Sequence, residues 1–271
     1  MGRATRISRC LASLAGSGRA ALTPFITVGD PDLATSAKAV LAAAEAGADM
    51  IELGVPFSDP VADGPVIQAA SQRALAAGAS LPRALELVAE VRARSAVPII
   101  LFGYANPFFR YGEDRLAADA AAAGADGLLV VDLPPEEAGP TVAACKRAGL
   151  DRIFLLAPTS DESRMRAVAK VASGFVYFVS VTGVTGARRQ APVGIEGKVA
   201  RVREVVGLPV GVGFGIATPE HAAEVARYAD VVIVGSALVR TMHEAGPAGA
   251  AAACGRFVAS LRKALEEVAG R

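Results

Sequence analysis

Eight short apolar runs, rich in Val, Ile and Leu, recur along the chain and alternate with Ala-rich segments. Runs in which almost every position is apolar are typical of parallel strands that are buried on both faces. The pattern therefore predicts eight parallel strands. The runs span residues 21–28, 48–55, 98–105, 126–132, 152–157, 175–181, 209–214 and 230–235.

The Ala-rich segments carry apolar residues at helical spacing and predict the helices of the fold. Several of them end in Ala-Gly-Ala-Asp or a close variant, at Gly47, Gly124 and Gly149. Glycine there adopts the left-handed conformation that ends a helix and lets the chain turn into the next strand. The predicted helices include residues 32–46, 81–94, 114–123, 136–148, 161–172, 195–206 and 219–228.

A strand followed by a helix, eight times over about 250 residues, is the arrangement of a (β/α)8 barrel, the TIM barrel. We therefore predict an α/β protein with a single TIM-barrel domain over residues 1–271, whose strands lie between residues 21 and 235. Two extra helices are predicted outside the repeat, at about 3–16 and about 247–270. A doubly wound open sheet is the alternative, but its first strand usually leads into a nucleotide motif, and this chain has Gly29-Asp-Pro-Asp there.

The composition excludes several classes of function. Lys and Arg (28) nearly balance Asp and Glu (27), so neither a nucleic acid nor a strongly charged partner is predicted. No apolar run reaches the roughly 18 residues that a membrane span needs. The three cysteines are widely separated and offer neither a disulfide framework nor a metal-ligand spacing. We therefore predict a cytoplasmic protein that holds no metal ion.

Two carboxylates stand out because of where a barrel places them. Active sites of such barrels lie at the C-terminal ends of the strands and in the loops that follow. Glu52 lies inside the second predicted strand, where an ionised group is costly, and Asp63 lies in the loop after it. A carboxyl group in an apolar environment can transfer protons near neutral pH, while a second one stays ionised. The pair is predicted to be a general acid/base site.

Each of these polar residues also has a structural interpretation. Glu52 could pair with a Lys or Arg inside the barrel, although no basic residue lies at a strand centre. Asp63 could cap a helix that begins at Pro65, since Asp before a proline-started helix is a common capping pattern. Tyr177, in the sixth strand, could place its phenol in the barrel mouth or be an ordinary core tyrosine.

Glycine-rich segments at the ends of the last two strands predict a phosphate site. Residues 211–216 and Gly235-Ser236 leave backbone N–H groups at the starts of helices, where such groups bind phosphate without a cation. Glycines that serve only tight turns are the alternative. The loop at residues 183–192 has the small-residue composition of a lid that closes over a substrate, or of an ordinary solvated loop.

Several of these motifs together resemble the α-subunit family of tryptophan synthase. The most specific is Glu52-Leu-Gly-Val-Pro-Phe-Ser-Asp-Pro-Val-Ala-Asp-Gly-Pro65. The resemblance runs from the N-terminal helix to at least the eighth strand, which is essentially the whole chain. The other motifs are Pro24-Phe-Ile-Thr-Val-Gly-Asp-Pro31, Gly103-Tyr-Ala-Asn106, Gly183-Val-Thr-Gly186, Gly213-Phe-Gly-Ile216 and Gly235-Ser236.

The resemblance implies a carbon–carbon lyase of tryptophan biosynthesis, which cleaves indole-3-glycerol phosphate to indole and glyceraldehyde 3-phosphate by a retro-aldol reaction. Glu52 would be the proton-shuttling acid/base, Asp63 the carboxylate that holds the indole N–H, and Tyr177 a tyrosine beside the glutamate. The resemblance also assigns a phosphate site to Gly186, Gly215, Gly235 and Ser236, an indole pocket to Phe25, Phe102, Leu129 and Phe214, and a lid threonine to Thr185.

The resemblance also implies a partner. The family's α subunit has no cofactor of its own, and it passes indole through a tunnel to a pyridoxal-phosphate β subunit in an α2β2 complex. The loops at residues 55–61 and 104–111 correspond to the docking surface. Two alternatives stay open. One is a free-standing lyase with the same residues, and the other is a docking subunit that mainly activates β, which the intact acid pair disfavours.

Overall fold

Eight parallel strands close into a barrel in the computed structural model, which describes residues 4–179, 195–213 and 215–269. The strands are β1 (Ala21–Thr27), β2 (Ile51–Gly54), β3 (Ile99–Gly103), β4 (Gly127–Val130), β5 (Asp151–Leu156), β6 (Val176–Val179), β7 (Val210–Gly213) and β8 (Val231–Val234). Each strand pairs with its neighbours in chain order, and β8 pairs with β1. The predicted TIM barrel is confirmed, and only β5 begins outside its predicted run, by one residue.

Helices surround the barrel. They are α1 (Arg6–Ala15), α2 (Leu33–Glu45), α3 (Pro65–Ala76), α4 (Leu81–Arg92), α5 (Ala105–Tyr111), α6 (Glu113–Ala123), α7 (Gly139–Ala148), α8 (Glu162–Ala169), α9 (Ile195–Val206), α10 (Pro219–Val225), α11 (Ser236–Glu244) and α12 (Gly246–Ala269). The segment 104–111, which the sequence predicts as a loop, contains helix α5, so that prediction is wrong. Seven residues are too few for a repeating apolar face to identify a helix. Within the described part of the chain, no helix has the length and apolar character that crossing a membrane requires.

Alternate strand residues fill the inside of the barrel. The inner layer includes Met50, Ile100, Leu129, Ile153, Tyr177 and Ile233. The intervening positions pack outwards against the helices and include Leu53, Leu101, Leu128, Phe154 and Val232. Because side chains alternate along a strand, Glu52 shares the inner face with Met50, two residues earlier. Its neighbours in register are Phe25 on β1 and Ile100 on β3.

Helix α1 closes the N-terminal end of the barrel. Thr5 caps this helix by accepting a hydrogen bond from the Ser8 N–H at 3.0 Å. Ile7, Leu11 and Leu14 are buried and join the inner apolar cluster. The apolar side of α1 thus lies against one mouth of the barrel, and the opposite mouth is left for polar side chains.

Three aspartates just before even-numbered strands tie each of them to the preceding strand. Asp49, Asp126 and Asp230 precede β2, β4 and β8, and each carboxylate accepts the N–H of Leu22, Ile99 or Val210 at 2.8–2.9 Å. The N–H of each aspartate in turn donates to the C=O of that same residue. We call this two-way contact the aspartate clamp. Each clamp uses one aspartate side chain to fix the register of one strand pair.

Each clamp is neutralised by an arginine from a helix. Arg92 and Arg6 both contact Asp126, at 2.9 and 2.8 Å, and this carboxylate is almost fully buried. The Asp230 carboxylate is more exposed, and it lies 3.0 Å from the Arg203 guanidinium. The clamps therefore differ in burial while they share the same chemistry.

We expect Asp126→Ala to lower the free energy of unfolding by about 3–5 kcal/mol, because it leaves two arginines and a strand N–H without their buried acceptor. Asp230→Ala leaves one arginine and a strand N–H without their acceptor at a more exposed site and should cost about 1–2 kcal/mol. Urea unfolding followed by circular dichroism measures both. Equal losses for the two variants would contradict the expected dependence on burial and on the number of paired arginines.

Candidate active site

Glu52 lies on the inner face of β2 and is 1% exposed. Its Oε1 atom has no hydrogen-bond partner among the described residues, and no Lys or Arg of that part of the chain pairs with it. Burial raises the pKa of the Glu52 carboxyl from 4.5 to about 8. The alternative in which Glu52 belongs to an ion pair therefore finds no support in the described barrel.

Asp63 lies in the loop after β2, and like Glu52 it is close enough to Tyr177 to raise the pKa of that phenol. Its Oδ2 atom accepts a hydrogen bond from the Tyr104 hydroxyl at 3.0 Å. Burial raises the pKa of Asp63 to about 6, and the Tyr104 hydrogen bond opposes that rise. The capping alternative for Asp63 is wrong, because Gly64 is the N-cap of α3 and no side chain caps this helix.

The turn that carries Asp63 is held by its backbone. The Asp63 N–H donates to the Pro60 C=O at 3.0 Å. The Gln68 side chain, on the first turns of α3, donates from Nε2 to the Asp63 C=O at 2.9 Å and to the Pro60 C=O at 3.4 Å. Both the carboxylate and the main chain of Asp63 therefore have fixed positions.

Tyr177 faces the same space from β6 and is 5% exposed. Burial raises the pKa of its phenol well above the ordinary value, and the negative charges of Glu52 and Asp63 raise it further. The Tyr177 ring lies so close to Gly213 on β7 that a Cβ atom at position 213 would overlap it. The structure thus brings together the three residues that the sequence analysis selected as catalytic.

Aromatic and aliphatic side chains line the wall beside Glu52. Phe25 and Phe102 meet edge to face, with ring centroids 5.2 Å apart, and Leu129 is fully buried on the neighbouring strand. The Phe25 ring packs on Gly54 so closely that a Cβ atom there would overlap it. This wall is apolar, as the binding of an aromatic ring requires. Phe214, predicted in the same pocket, lies outside the described residues.

The predicted phosphate site is described only in part. Gly235 is the N-cap of α11, and Ser236 is the first residue of that helix, so their N–H groups lie at a helix N-terminus at the end of β8. Gly215 has a φ of 80°, a conformation that favours glycine. Gly186 and Thr185, predicted for the phosphate site and the lid, lie outside the described residues.

The sequence prediction gives two residues of this site no contact with Asp63. Tyr104 appears in it only within the motif Gly103-Tyr-Ala-Asn106 and the predicted docking loop, and Gln68 has no predicted role. Both hold the Asp63 loop by contacts that no local pattern shows, because their partners lie on other elements or in the main chain. In the described ranges, no three His, Cys, Asp or Glu side chains are grouped closely enough to hold a metal ion.

Comparison with known proteins gives one consistent family. Residues 11–267 match the family model described as tryptophan synthase alpha chain. The tryptophan synthase alpha chain of Geobacter sulfurreducens is 55% identical over 266 residues, which cover 98% of this chain and 99% of the relative.

Solved structures agree with the sequence comparison. Subunit alpha of tryptophan synthase from Legionella pneumophila superposes with a TM-score of 0.89 at 38% identity, over 97% of this chain and 99% of that one. A tryptophan synthase structure from Mycobacterium tuberculosis gives a TM-score of 0.89 at 40% identity, over the same fractions of the two chains.

Proposed function

This chain belongs to the tryptophan synthase alpha chain family, and from that premise we propose that it cleaves indole-3-glycerol phosphate to indole and glyceraldehyde 3-phosphate. It is a lyase of tryptophan biosynthesis, and its partner is the tryptophan synthase beta subunit, which receives the indole and makes L-tryptophan. The observation that carries the chemistry is Glu52, a buried carboxyl group without an ion-pair partner among the described residues, which lies near Tyr177 as Asp63 does.

Glu52 is the proton carrier in this proposal. The protonated carboxyl group gives its proton to C3 of the indole ring, and the resulting carboxylate takes the proton of the glycerol hydroxyl next to that carbon. The bond between C3 and the glycerol chain then breaks, its electron pair restores the aromatic ring, and the hydroxyl carbon becomes the aldehyde. One carboxyl group is sufficient, because it ends the cycle in the state in which it began. A pKa of about 8 keeps it protonated at neutral pH.

Asp63 stabilises the intermediate in the same proposal. Protonation of C3 places positive charge on the ring nitrogen, and an ionised carboxylate beside that N–H gains strength as the charge develops. A pKa of about 6 leaves Asp63 ionised at neutral pH. Tyr177 packs beside the two carboxyl groups and closes the barrel side of the site.

The remaining assignments concern substrate binding. We propose that the indole ring lies against Phe25, Phe102, Leu129 and Phe214, and that Thr185 belongs to a lid over it. Backbone N–H groups would hold the phosphate, which uses binding energy remote from the reacting bond to orient that bond. The phosphate ligands in this proposal are Gly186, Gly215, Gly235 and Ser236.

We also propose the setting in which the chain works. The reaction needs only acid/base groups, so this subunit acts without a cofactor, and pyridoxal phosphate belongs to the beta partner. Residues 1–271 act as one barrel domain in the cytoplasm, in an α2β2 complex.

Indole release with and without added beta subunit distinguishes the proposed function from its two alternatives. A low rate that the beta subunit raises supports the proposal. High activity of the isolated chain that beta does not change would identify a free-standing lyase. A chain that releases no indole under either condition, but that still stimulates the beta subunit to make tryptophan from added indole, would be a docking subunit.

We expect kcat/KM of the isolated chain to be highest between pH of about 6 and about 8. Below that range Asp63 takes up a proton and loses the charge that stabilises the ring, and above it Glu52 loses the proton that it must donate. Indole release measured from pH 5 to pH 9.5 gives both limbs. Asp63→Asn should lower the rate by about 10²–10³-fold and abolish the acid limb.

Asp59→Asn is the matched control for this profile, since Asp59 is an exposed acid of the same loop. It should leave both limbs unchanged. A native profile without a limb on either side would contradict the assignment of Glu52 and Asp63.

A further inference from the structure

The hydroxyl group of Tyr104 holds two consecutive residues of the catalytic loop. It donates a hydrogen bond to Asp63 Oδ2 at 3.0 Å and accepts one from the Ala62 N–H at 3.1 Å. Tyr104 follows β3 and is 3% exposed, so its ring cannot leave the site without opening the packing around it. The carboxylate and the main chain of the loop are therefore fixed by the same atom.

The position of Tyr104 is fixed in turn by two neighbours. The Phe57 ring, from the loop after β2, lies 5.3 Å from the Tyr104 ring, centroid to centroid. The Asp132 carboxylate, which follows β4, accepts a hydrogen bond from the Ala105 N–H at 2.7 Å. Tyr104 is the N-cap of α5 and has no capping side-chain bond of its own, so Asp132 supplies the cap from the adjacent strand.

We propose that Tyr104 is a positioning residue for the cleavage, which aims the Asp63 carboxylate into the barrel, and that Asp132 places Tyr104 by capping α5. The inference rests on the proposed role of Asp63. The inference adds two supporting residues to Asp63. The three residues follow three successive strands, since the Asp63 loop follows β2, Tyr104 follows β3 and Asp132 follows β4.

The charges around Asp63 favour a hydrogen bond at this place. Asp63 lies close enough to the Tyr177 phenol that its negative charge raises the pKa of that group. Burial raises the pKa of Tyr104, as do the negative charges of Asp63 and Asp132, so its hydroxyl stays protonated and remains a donor in the working range. Tyr104 is therefore a neutral donor that hydrogen-bonds the Asp63 carboxylate directly.

The test compares Tyr104→Phe with Tyr228→Phe. Both variants lose a phenol hydroxyl, and Tyr228 lies between α10 and β8, away from the site and from the docking loops. Tyr104→Phe should lower kcat about 10- to 100-fold, with KM changed less than about 3-fold. The acid limb of the pH profile should move up by about one pH unit, because the hydrogen bond that lowers the pKa of Asp63 is lost. Tyr228→Phe should change neither.

Asp132 variants test the second half of the proposal. Asp132→Asn keeps an oxygen that accepts the Ala105 N–H and should retain at least about half of the native rate. Asp132→Ala removes the acceptor and should reproduce part of the Tyr104→Phe loss, with the acid limb shifted in the same direction. The double variant should be no slower than Tyr104→Phe alone, because both substitutions act through one contact.

Carbon-13 NMR titration of the Asp63 side chain keeps this proposal separate from the catalytic role of Asp63. An upward shift of its pKa in Tyr104→Phe supports the positioning contact even if Asp63→Asn proves fully active, a result that would overturn only the role of Asp63. An unchanged titration overturns the positioning role, whatever the rate. A native kcat in Tyr104→Phe also overturns the positioning role if Glu52→Gln and Asp63→Asn are inactive.

Discussion

We expect the Glu52→Gln chain to release indole at least about 10³-fold more slowly than the native chain. Glutamine has nearly the same shape as glutamate, so the substitution leaves the inner layer of the barrel filled. Its amide can neither give a proton to the indole ring nor take one from the glycerol hydroxyl, and the mechanism needs both transfers from this one side chain. Single-turnover and steady-state assays of indole release measure the loss.

Binding of glyceraldehyde 3-phosphate provides the control for this variant. The phosphate contacts proposed for it lie at the ends of other strands, so its Kd should stay within about 3-fold of the native value if the site is intact. A Glu52→Gln chain that turns over within about tenfold of the native rate would mean that Glu52 is a structural residue and that another group moves the protons.

The same substitution should make the protein more stable at alkaline pH. The pKa of Glu52 rises from 4.5 to about 8 on folding, so between these values the folded chain binds a proton that the unfolded chain has lost. The free energy of unfolding therefore falls as the pH rises through this window. A pKa shift of this size corresponds to a change of at most about 5 kcal/mol in the free energy of unfolding. Relaxation around the buried carboxylate makes the change smaller.

We expect Glu52→Gln to exceed the native chain by roughly 2–5 kcal/mol at pH 9, and to differ little from it at pH 4, where both side chains are neutral. Urea unfolding at the two pH values measures the difference. Glu90→Gln, a substitution at an exposed position on α4, should follow the native curve at both. A stability gain that is equal at pH 4 and pH 9 would contradict the titration of Glu52 as its cause.

Strand positions and the inner face of the barrel could be predicted because they depend on local patterns. A strand buried on both faces needs an apolar residue at nearly every position, and Glu52 is visible as the exception in such a run. Once the strand is accepted, alternation places Glu52 on the same face as Met50. The glycines that end α6 and α7, Gly124 and Gly149, are both left-handed, as their sequence context predicts.

The contacts of Asp63 could not be predicted in this way. Its capping alternative rests on the local sequence, but the chain gives the cap position to Gly64 and turns the carboxylate towards Tyr104, 41 residues away. Helix α5 was missed for a related reason. The N–H of its first residue, Ala105, donates to Asp132, which follows β4 and is distant in the sequence. Long-range hydrogen bonds of this kind leave no periodic signal in the sequence.

The aspartate clamps differ in when their counter-ions are synthesised. Arg92 precedes Asp126 by 34 residues and Arg203 precedes Asp230 by 27, so each of these arginines is synthesised before its aspartate. Asp49 pairs at 2.7 Å with Arg262 on α12, which is 213 residues further on. The first strand pair of the barrel therefore lacks the ion-pair partner of Asp49 until α12 has been synthesised, and until then Arg19 is the one arginine near this carboxylate that the chain already contains among the described residues. The N-terminal part of the nascent chain reaches its final stability only after α12 has joined it.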